Sequence, residues 1–434
     1  MSERTIKVDY LARVEGEGAL HLTWKDGRVD ELALSIFEPP RFFEAFLRGR
    51  SALETPDITA RICGICPVAY QMSACAAVED AFGLQLPEPL RRLRRLLYCG
   101  EWIESHVLHI AMLHAPDFFG APDAMALARD HKEEVVGALA AKKAGNAIVS
   151  MLGGREIHPI NVKVGGFWRL PRAQEVDALR EELLAARPRL EHVVRWTGTF
   201  EMPELQRDVP YLALAPEGPG AVYPFLEGPV RSTVGHRFGA AAWPSHVVES
   251  HVERSNALHA HLDGQVYQVG PLARYALNHA LLPPDLQALA AEIGATPPVD
   301  NPFRSILVRG IEALYAMDEA LRILDTLDSA TLRGEASVEV VPRAGEGHGL
   351  SEAPRGILYH RYVTDDDGRV VDADIVPPTA QNQLSIEADL WALADDLWAL
   401  DEDAATLRAE QAIRNYDPCI SCATHFLTLT KEQG

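Results

Sequence analysis

The sequence predicts an α+β fold that is mostly helical, built on a helix-bundle core. Two observations support this prediction. Apolar and polar residues alternate near the N-terminus, in residues 1–40, and again in residues 335–377, as in half-buried strands. Between these segments, residues 41–330 repeat apolar positions at helical spacing over long stretches. Because no repeat or low-complexity linker interrupts the chain, residues 1–434 are expected to form a single body.

The N-terminal half contains clear boundary signals. Lys25-Asp26-Gly27-Arg28 is typical of a hairpin turn between two strands. A short helix is expected within residues 40–50, because a proline stands at its start. Helical patterns then cover residues 67–82, 88–115, 120–150, 173–196, 245–290 and 300–330, with Pro- and Gly-rich loops near 154–170 and 202–232.

The C-terminal part returns to a period of two. The stretches SVEVVP and GILYHRYVTDDDGRVVDADIVPP predict strands, with a hairpin turn at Asp365-Asp366-Asp367-Gly368. Residues 384–425 predict amphipathic helices followed by a cysteine motif. Residues 426–434 form a short tail after that motif.

Charge argues against several classes of protein. The chain has 41 basic and 62 acidic residues, a formal net charge of −21, so it is a poor candidate for binding nucleic acid through its overall charge. The basic run Arg91-Arg92-Leu93-Arg94-Arg95 is interpreted as a solvated helix face or a subunit contact. The apolar runs are shorter than the ~20 residues of a membrane span, and MSERTIKVDY lacks a signal-peptide core, so a cytoplasmic protein is expected.

The six cysteines are more informative by placement than by number. Cys63 with Cys66 and Cys419 with Cys422 form two CxxC pairs, whereas Cys75 and Cys99 stand alone and are expected to be buried apolar thiols. Four thiolates can hold a soft metal ion, and a structural zinc site is one alternative. The wide separation of the two pairs favours an active site built from distant parts of the chain.

The context of both pairs resembles a known family. The sequences Arg61-Ile62-Cys63-Gly64-Ile65-Cys66 and Asp417-Pro418-Cys419-Ile420-Ser421-Cys422-Ala423-Thr424-His425 are similar to the two signatures of the large, catalytic subunit of [NiFe] hydrogenases. Further matches lie at Arg13–Gly16, Glu44, His106–Asp117, His158-Pro159 with Gly165-Gly166, Glu352–Gly356 and Val376–Thr379. In detail the chain looks closest to the cytoplasmic group that couples to NAD(P).

The resemblance implies a nickel–iron centre whose iron carries carbon monoxide and cyanide. Cys63 and Cys419 would be terminal nickel ligands, and Cys66 and Cys422 would bridge the two metals. The implied reaction is the reversible conversion of H2 to two protons and two electrons, which needs a base near the metal. The two candidate bases are the thiolate of Cys419 and the guanidinium of Arg355, and Glu15 is the expected first proton relay.

The resemblance also implies roles around the centre. Arg355 is expected to form an ion pair with Asp117 or Asp417, Thr379 to hydrogen-bond a cyanide, and Pro354 to pack in the same pocket. Glu44, His425 and a main-chain carbonyl near Ile375 are expected to hold a second metal, magnesium or iron. Three further histidines, His106, His109 and His114, are interpreted as core residues rather than ligands.

The expected partner proteins follow from the need to carry electrons away from the metal centre. No further cysteine set is present for an iron–sulfur cluster, and no phosphate-binding glycine loop for a nucleotide or flavin, so other subunits are expected to carry them. The resemblance implies a cluster-bearing small subunit, flavin- and NAD(P)-binding diaphorase subunits, maturation proteins, and an endopeptidase that removes residues 426–434. A deazaflavin or a disulfide reductase is an alternative electron acceptor. A respiratory-complex subunit that has lost the metal site is disfavoured, because all four cysteines are present.

Overall fold

The computed structural model describes residues 3–39 and 41–424. About 49% of the chain is helical and 19% is strand, which confirms the predicted α+β class. The strands are β1 Glu3–Val8, β2 Gly18–Lys25, β3 Arg28–Ile36, β4 Val162–Lys163, β5 Gly166–Phe167, β6 Leu212–Leu214, β7 Val230–Ser232, β8 Arg237–Phe238, β9 Val247–Val252, β10 Ser255–Leu262, β11 Gly345–Ala353, β12 Gly356–Thr364 and β13 Val370–Val376.

Most of the helical residues lie between the two strand-rich ends. The helices are α1 Phe43–Leu47, α2 Thr55–Thr59, α3 Pro67–Phe82, α4 Glu88–Leu108, α5 Ala115–Phe118, α6 Ala124–Leu127, α7 Lys132–Gly153, α8 Ala173–Thr197, α9 Trp243–His246, α10 Pro271–Asn278, α11 Pro284–Glu292, α12 Ser305–Asp325, α13 Ser329–Leu332, α14 Pro378–Ala392, α15 Ala394–Ala399 and α16 Glu402–Arg414. A π-helical turn, His109–His114, joins α4 to α5.

The N-terminal sheet packs against the C-terminal helices. Strands β1, β2 and β3 form an antiparallel meander, with Lys25 opposite Arg28 at the predicted turn. The inward side chains of this sheet, such as Leu20 and Trp24, share a buried apolar cluster with Leu390 and Ile413 of α14 and α16. The two ends of the chain are therefore held together by a common core.

Close helix contact depends on small residues. Helices α3, α4, α7, α8 and α12 contribute to the largest apolar core. Where α4 crosses α7, a Cβ on Gly100 would lie 2.9 Å from the carbonyl oxygen of Gly145, and one on Gly145 would lie 2.9 Å from that of Gly100. These contacts leave no room for a larger residue, so both glycines are fixed by packing.

The sheet β11–β12–β13 lies directly on α3. A Cβ on Gly349 of β11 would lie 2.1 Å from the carbonyl oxygen of Ser73, so the strand and the helix are in backbone contact. The tight turn between β11 and β12 carries Pro354 and Arg355. This packing brings the turn to the same region as the N-terminus of α3.

Several local predictions are wrong. Residues 247–262 form the hairpin β9–β10 rather than a helix, and SVEVVP forms no strand beyond a single bridge from Ser337 to Gly166. Arg94 and Arg95 do not lie on a solvated face, because both are buried. Their guanidinium groups pair with carboxylates of other elements: Arg94 with Glu79, and Arg95 with Glu227 and Glu319.

One helix among the described residues, Lys132–Gly153, is long and apolar enough to cross a membrane. In the most apolar 18-residue stretch of this helix, 56% is buried inside the fold. It packs between α4 and α8, which is typical of a core helix.

Candidate active site

The four paired cysteines meet in one buried cluster. The Sγ atoms of Cys63 and Cys419 are 3.3 Å apart, those of Cys66 and Cys422 are 3.9 Å apart, and all four lie within 4.8 Å of one another. Cys66 immediately precedes α3, and Cys419 precedes the 3-10 turn Ile420–Ala423, so each motif folds as a loop entering a helical turn. The side chains are 1–4% exposed.

The surroundings favour the thiolate form at Cys63 and the neutral thiol at the other three cysteines. The Cys63 sulfur accepts hydrogen bonds from the backbone N–H groups of Ile65 and Cys66, both at 3.3 Å. Hydrogen bonds from the other three thiols, together with the charge of Arg355, lower the pKa of Cys63, although burial opposes the shift. Burial raises the pKa of Cys419. Four convergent sulfur donors suit a soft metal ion, and one of them, Cys63, already favours the charged form. A bound metal would deprotonate the other three thiols.

Glu15 reaches the cluster from the N-terminal end of the chain. Its backbone forms a parallel bridge with Cys419, and its carbonyl accepts from Ile420 N at 2.8 Å. The Cys419 thiol donates to Glu15 Oε2 at 3.1 Å, and Ser421 N donates to the same oxygen at 3.0 Å. Burial and the charge of Cys63 raise the pKa of Glu15. The structure thus places the predicted relay in direct contact with a cluster sulfur.

The close approach of the two chain ends requires Gly16. Its φ is +93°, and a Cβ there would lie 2.6 Å from Cβ of Ile420. Only glycine combines that backbone conformation with so little space.

Arg355 lies beside the cluster and is held by Asp417. Its Nε donates to the Asp417 carbonyl at 2.6 Å, and Nη2 donates to Oδ1 at 3.1 Å. The remaining Nη1 is buried without a hydrogen-bond partner among the described residues. Arg309 adds a second cation 3.7 Å from Asp417 Oδ2. Asp417 therefore fixes one side of the Arg355 guanidinium, and Nη1 on the other side keeps an unused N–H donor.

Of the two expected partners of Arg355, Asp417 pairs with it and Asp117 does not. Asp117 instead accepts a bidentate contact from Arg414, at 2.7 and 2.9 Å, and also pairs with Arg13. Both oxygens of the Asp117 carboxylate accept from Arg414, the last residue of α16, which lies three positions before Asp417 in the chain. Through its contact with Arg414, Asp117 therefore helps to hold the start of the loop that leads to Cys419.

The remaining predicted residues divide into two groups. Thr379 accepts a hydrogen bond from Cys419 N at 3.0 Å, and Pro354 precedes Arg355 in the turn. Away from these, Glu44 Oε1 accepts from Ile375 N at 2.9 Å, and burial with the charge of Asp374 raises the pKa of Glu44 to about 8. His425 lies outside the described residues.

The three histidines between Trp102 and Asp117 are buried. His106 Nε2 lies 3.1 Å from Glu312 Oε2, and a ring nitrogen of His109 lies 2.8 Å from the Arg414 carbonyl. Burial lowers the pKa of each ring, that of His106 to about 4, which favours neutral imidazole. Among the described residues they form no metal-ligand group with the cysteines.

Two arginines at the site were not found by sequence reasoning. Arg41 donates to the carbonyl oxygens of Ile62, at 2.6 Å, and Ser421, and so joins the two cysteine loops. Arg274 donates to the carbonyls of Ala353 and Pro354, at 2.8 and 2.9 Å, and so holds the turn that carries Arg355. Neither arginine lies in a short sequence motif. Their roles become visible only from their contacts with residues that are distant in the chain.

Four convergent thiols, a carboxyl group in contact with one of them and a guanidinium beside them define a thiolate-ligated metal enzyme. A family model described as "Nickel-dependent hydrogenase" matches residues 41–136 and 255–425. The chain belongs to this family, in which it is a large, catalytic subunit, as predicted.

Relatives match over almost the whole chain. The alpha subunit of sulfhydrogenase 1 of Pyrococcus furiosus is 33% identical over 98% of this chain and 98% of its own length. The alpha subunit of sulfhydrogenase 2 of the same organism is 34% identical over 98% and 100%. A vhc subunit of the F420-non-reducing hydrogenase of Methanococcus voltae is 30% identical over 97% and 94%.

A solved structure matches the whole fold. It is an NAD+-reducing [NiFe]-hydrogenase in the H2-reduced state, with a TM-score of 0.87, 26% identity, and coverage of 97% of this chain and 99% of that chain.

Proposed function

We propose that this chain catalyses the reversible, heterolytic conversion of H2 to two protons and two electrons, and that it passes the electrons to an iron–sulfur small subunit. The single observation that carries the proposal is the contact of the Cys419 thiol with the Glu15 carboxylate inside a cluster of four buried thiols. This arrangement combines soft-metal ligands with a proton acceptor, the two requirements of H2 heterolysis.

The four cysteines would hold the metal group. Their sulfur donors, burial and mutual distances below 4.8 Å fit a nickel–iron pair better than an oxygen-preferring ion. By the family resemblance, Cys63 and Cys419 would be the terminal nickel ligands, and Cys66 and Cys422 would be the ligands shared with iron. When bound, the nickel–iron group, with carbon monoxide and cyanide on iron, supplies the electrophilic metal that takes up the electron pair of H2.

Cys419 and Glu15 would move the proton. The Cys419 sulfur accepts it as a thiolate and hands it to Glu15 Oε2 across 3.1 Å. Burial raises the pKa of Glu15, which makes its carboxylate a better proton acceptor than that of an exposed glutamate.

Arg355 would orient and polarise the reactant. Asp417 holds its Nε and Nη2, and its unpartnered Nη1 remains available to a group bound beside the sulfurs. An arginine is normally charged, and the neighbouring aspartate and thiols raise its pKa further, which favours the polarising role over that of the base. Thr379 and Pro354 would line the cyanide side of the same pocket.

A second metal site is proposed on the other side of β13. Glu44 and the carbonyl of Ile375 supply oxygen ligands of the kind magnesium prefers, with iron as the alternative, and His425 would complete the protein ligands. Removal of residues 426–434 by an endopeptidase would then free the chain end at this site. An intact-mass measurement on nickel-loaded enzyme tests this, and a retained residue 434 contradicts it.

We further propose NAD(P) as the final electron acceptor, reached through diaphorase subunits in a cytoplasmic complex. The solved relative with a TM-score of 0.87 is itself NAD+-reducing, which supports this acceptor. The sulfhydrogenase and F420-non-reducing relatives support the same H2 chemistry coupled to another acceptor. H2-dependent reduction of NAD+, NADP+, a deazaflavin and a disulfide, compared in the purified complex, distinguishes these routes.

An infrared spectrum of the complex, matured in a competent host, tests the function most directly. One carbonyl band and two cyanide bands are expected, with nickel near one per large subunit, iron above the amount held in the iron–sulfur clusters, and H2-dependent dye reduction. A Cys66→Ser variant is the matched control and should lose the bands. Zinc bound by the four cysteines in place of nickel, with no such bands in a host that matures a known relative, would refute the proposal and support the structural-zinc alternative.

A further inference from the structure

A second group of metal-ligating side chains lies apart from the cysteines, on the β6–β10 side of the fold. Within residues 3–39 and 41–424, His236, His246 and Asp263 are, besides the cysteine cluster, the other group whose ligand atoms all lie within 4.8 Å of one another. Their side chains are 23%, 31% and 45% exposed, so an ion from solvent can reach them.

The distances suit a small tetrahedral ion. His236 Nε2 lies 2.8 Å from Asp263 Oδ2, and His246 Nδ1 lies 3.3 Å from both carboxylate oxygens. Ligand atoms about 2.0–2.1 Å from a tetrahedral zinc ion are about 3.3 Å from each other. The three atoms therefore need only small side-chain shifts to surround one ion.

Each ligand is oriented by a further contact. A hydrogen bond of 2.8 Å joins His236 Nδ1 to Ser232 Oγ and turns Nε2 toward Asp263. The His246 ring stacks on Phe238, with centroids 4.3 Å apart and planes 21° from parallel. Asp263 follows β10 at a φ of +46°, and its N–H donates to the His246 carbonyl at 2.8 Å. Such supporting contacts are characteristic of metal-binding histidines.

The elements that carry these ligands rest on a rigid base. Phe238, Trp243, Val247 and Leu262 are buried in one apolar cluster directly beneath them. The ligands come from the β7–β8 turn, the end of α9 and the turn after β10, so an ion would connect three segments.

We propose that His236, His246 and Asp263 bind one divalent transition-metal ion, for which Zn2+ is the probe, with water completing its coordination. Two imidazoles and a carboxylate are nitrogen and oxygen ligands typical of zinc and unlike the four thiols of the active site. The inference does not depend on the proposed H2 chemistry.

Equilibrium dialysis of the nickel-loaded complex against Zn2+, followed by metal analysis, tests this site. The native enzyme should bind one zinc per chain more than the His236→Gln/His246→Gln double variant. Each single variant should weaken binding about tenfold or more, since loss of even a supporting residue typically costs that much. Because the native enzyme and the double variant share every other zinc site in the complex, the difference between their zinc contents reports this site alone.

His192→Gln is the matched control. His192 is an exposed histidine 3.6 Å from a carboxylate, Glu134, but it belongs to no three-ligand group among the described residues. It should leave zinc binding unchanged. Equal zinc in the native enzyme and the double variant would overturn the proposal, as would loss of the extra zinc in His192→Gln. After soaking with Zn2+, an anomalous scattering peak at the zinc edge between the three ligands would support it, and the absence of a peak there would overturn it.

Discussion

Replacement of Arg274 by methionine should destabilise the protein and disturb the turn that carries Arg355. The guanidinium is fully buried and makes five hydrogen bonds. Two go to Glu312, at 2.8 and 2.7 Å, one to Glu352 at 3.1 Å, and two to the carbonyls of Ala353 and Pro354. Methionine fills much of the volume but donates none of these bonds.

The expected cost follows from the groups left behind. Removing one partner of a buried ion pair typically costs about 3–5 kcal/mol, because the remaining charge is uncompensated. Here two carboxylates and two carbonyls lose a donor together. We therefore expect Arg274→Met to lower the free energy of unfolding by at least about 3–5 kcal/mol, a large part of the ~5–15 kcal/mol that stabilises a typical protein.

The loss should depend on pH in a defined direction. Burial opposes ionisation of Glu312, but Arg274 and His106 lower its pKa to about 2, so its stabilising contribution is present above its ordinary pKa and is lost as pH falls through about 2. Burial raises the pKa of Glu352 to about 7 even beside Arg274. Without Arg274, burial is opposed only by weaker contacts, from Tyr223 and His106 to Glu312 and from the Leu214 N–H to Glu352, so both carboxyl groups favour protonation more strongly. The destabilisation should thus be larger near pH 8 than near pH 5.

Urea unfolding followed by tryptophan fluorescence measures this loss, and H2 turnover per nickel measures the effect on the turn. Arg94→Met is the matched control, because Arg94 also forms a buried bidentate pair with a glutamate, Glu79, at 2.8 and 2.7 Å, away from Arg355. It should cost similar stability while leaving turnover per nickel unchanged. A loss in Arg274→Met below about 1 kcal/mol, or one independent of pH, would refute the reasoning.

Three further predictions concern the site and its support. Glu15→Gln should lower H2 turnover about 10²–10⁴-fold with nickel content unchanged, and full turnover would contradict the relay. Arg355→Lys keeps the charge but loses the planar fork, so turnover should fall at least about tenfold with the infrared bands retained; unchanged turnover would rule out the assigned role. Gly349→Ala should lower the free energy of unfolding by about 1–3 kcal/mol or more, because its Cβ would lie 2.1 Å from Ser73 O. Gly239→Ala, with nothing within 4 Å of the new Cβ, should cost much less, and equal urea midpoints would contradict the packing argument.

The sequence predicted those parts of the fold that depend on the conformational preferences of neighbouring residues. The turn Asp26-Gly27 was predicted correctly for the N-terminal hairpin, because that dipeptide adopts positive φ at both residues. The hairpin β9–β10 was missed because its Ala, Leu, His and Glu residues are also compatible with a helix. There the pairing of the two strands, a tertiary effect, decides the structure.

The site shows the same division. The cysteine motifs and Glu15 could be found because they recur as short patterns with fixed spacing. Arg41 could not, since its role depends on carbonyl oxygens of Ile62 and Ser421, which belong to opposite ends of the chain. Arg94 and Arg95 were misread for the same reason: nothing in a run of arginines reveals carboxylates on distant elements.

The pairing of Cys63 with Cys419 across 356 positions has a consequence for biosynthesis. At roughly 5–20 residues per second, the ribosome needs about 20–70 s to make the intervening chain. During that time Cys63 and Cys66 form half of a site, open to any soft ion in the cell. Supply of the correct metals must therefore compete with scavenging by zinc or copper in a nascent chain, and the yield of correctly loaded enzyme should fall when those ions are in excess.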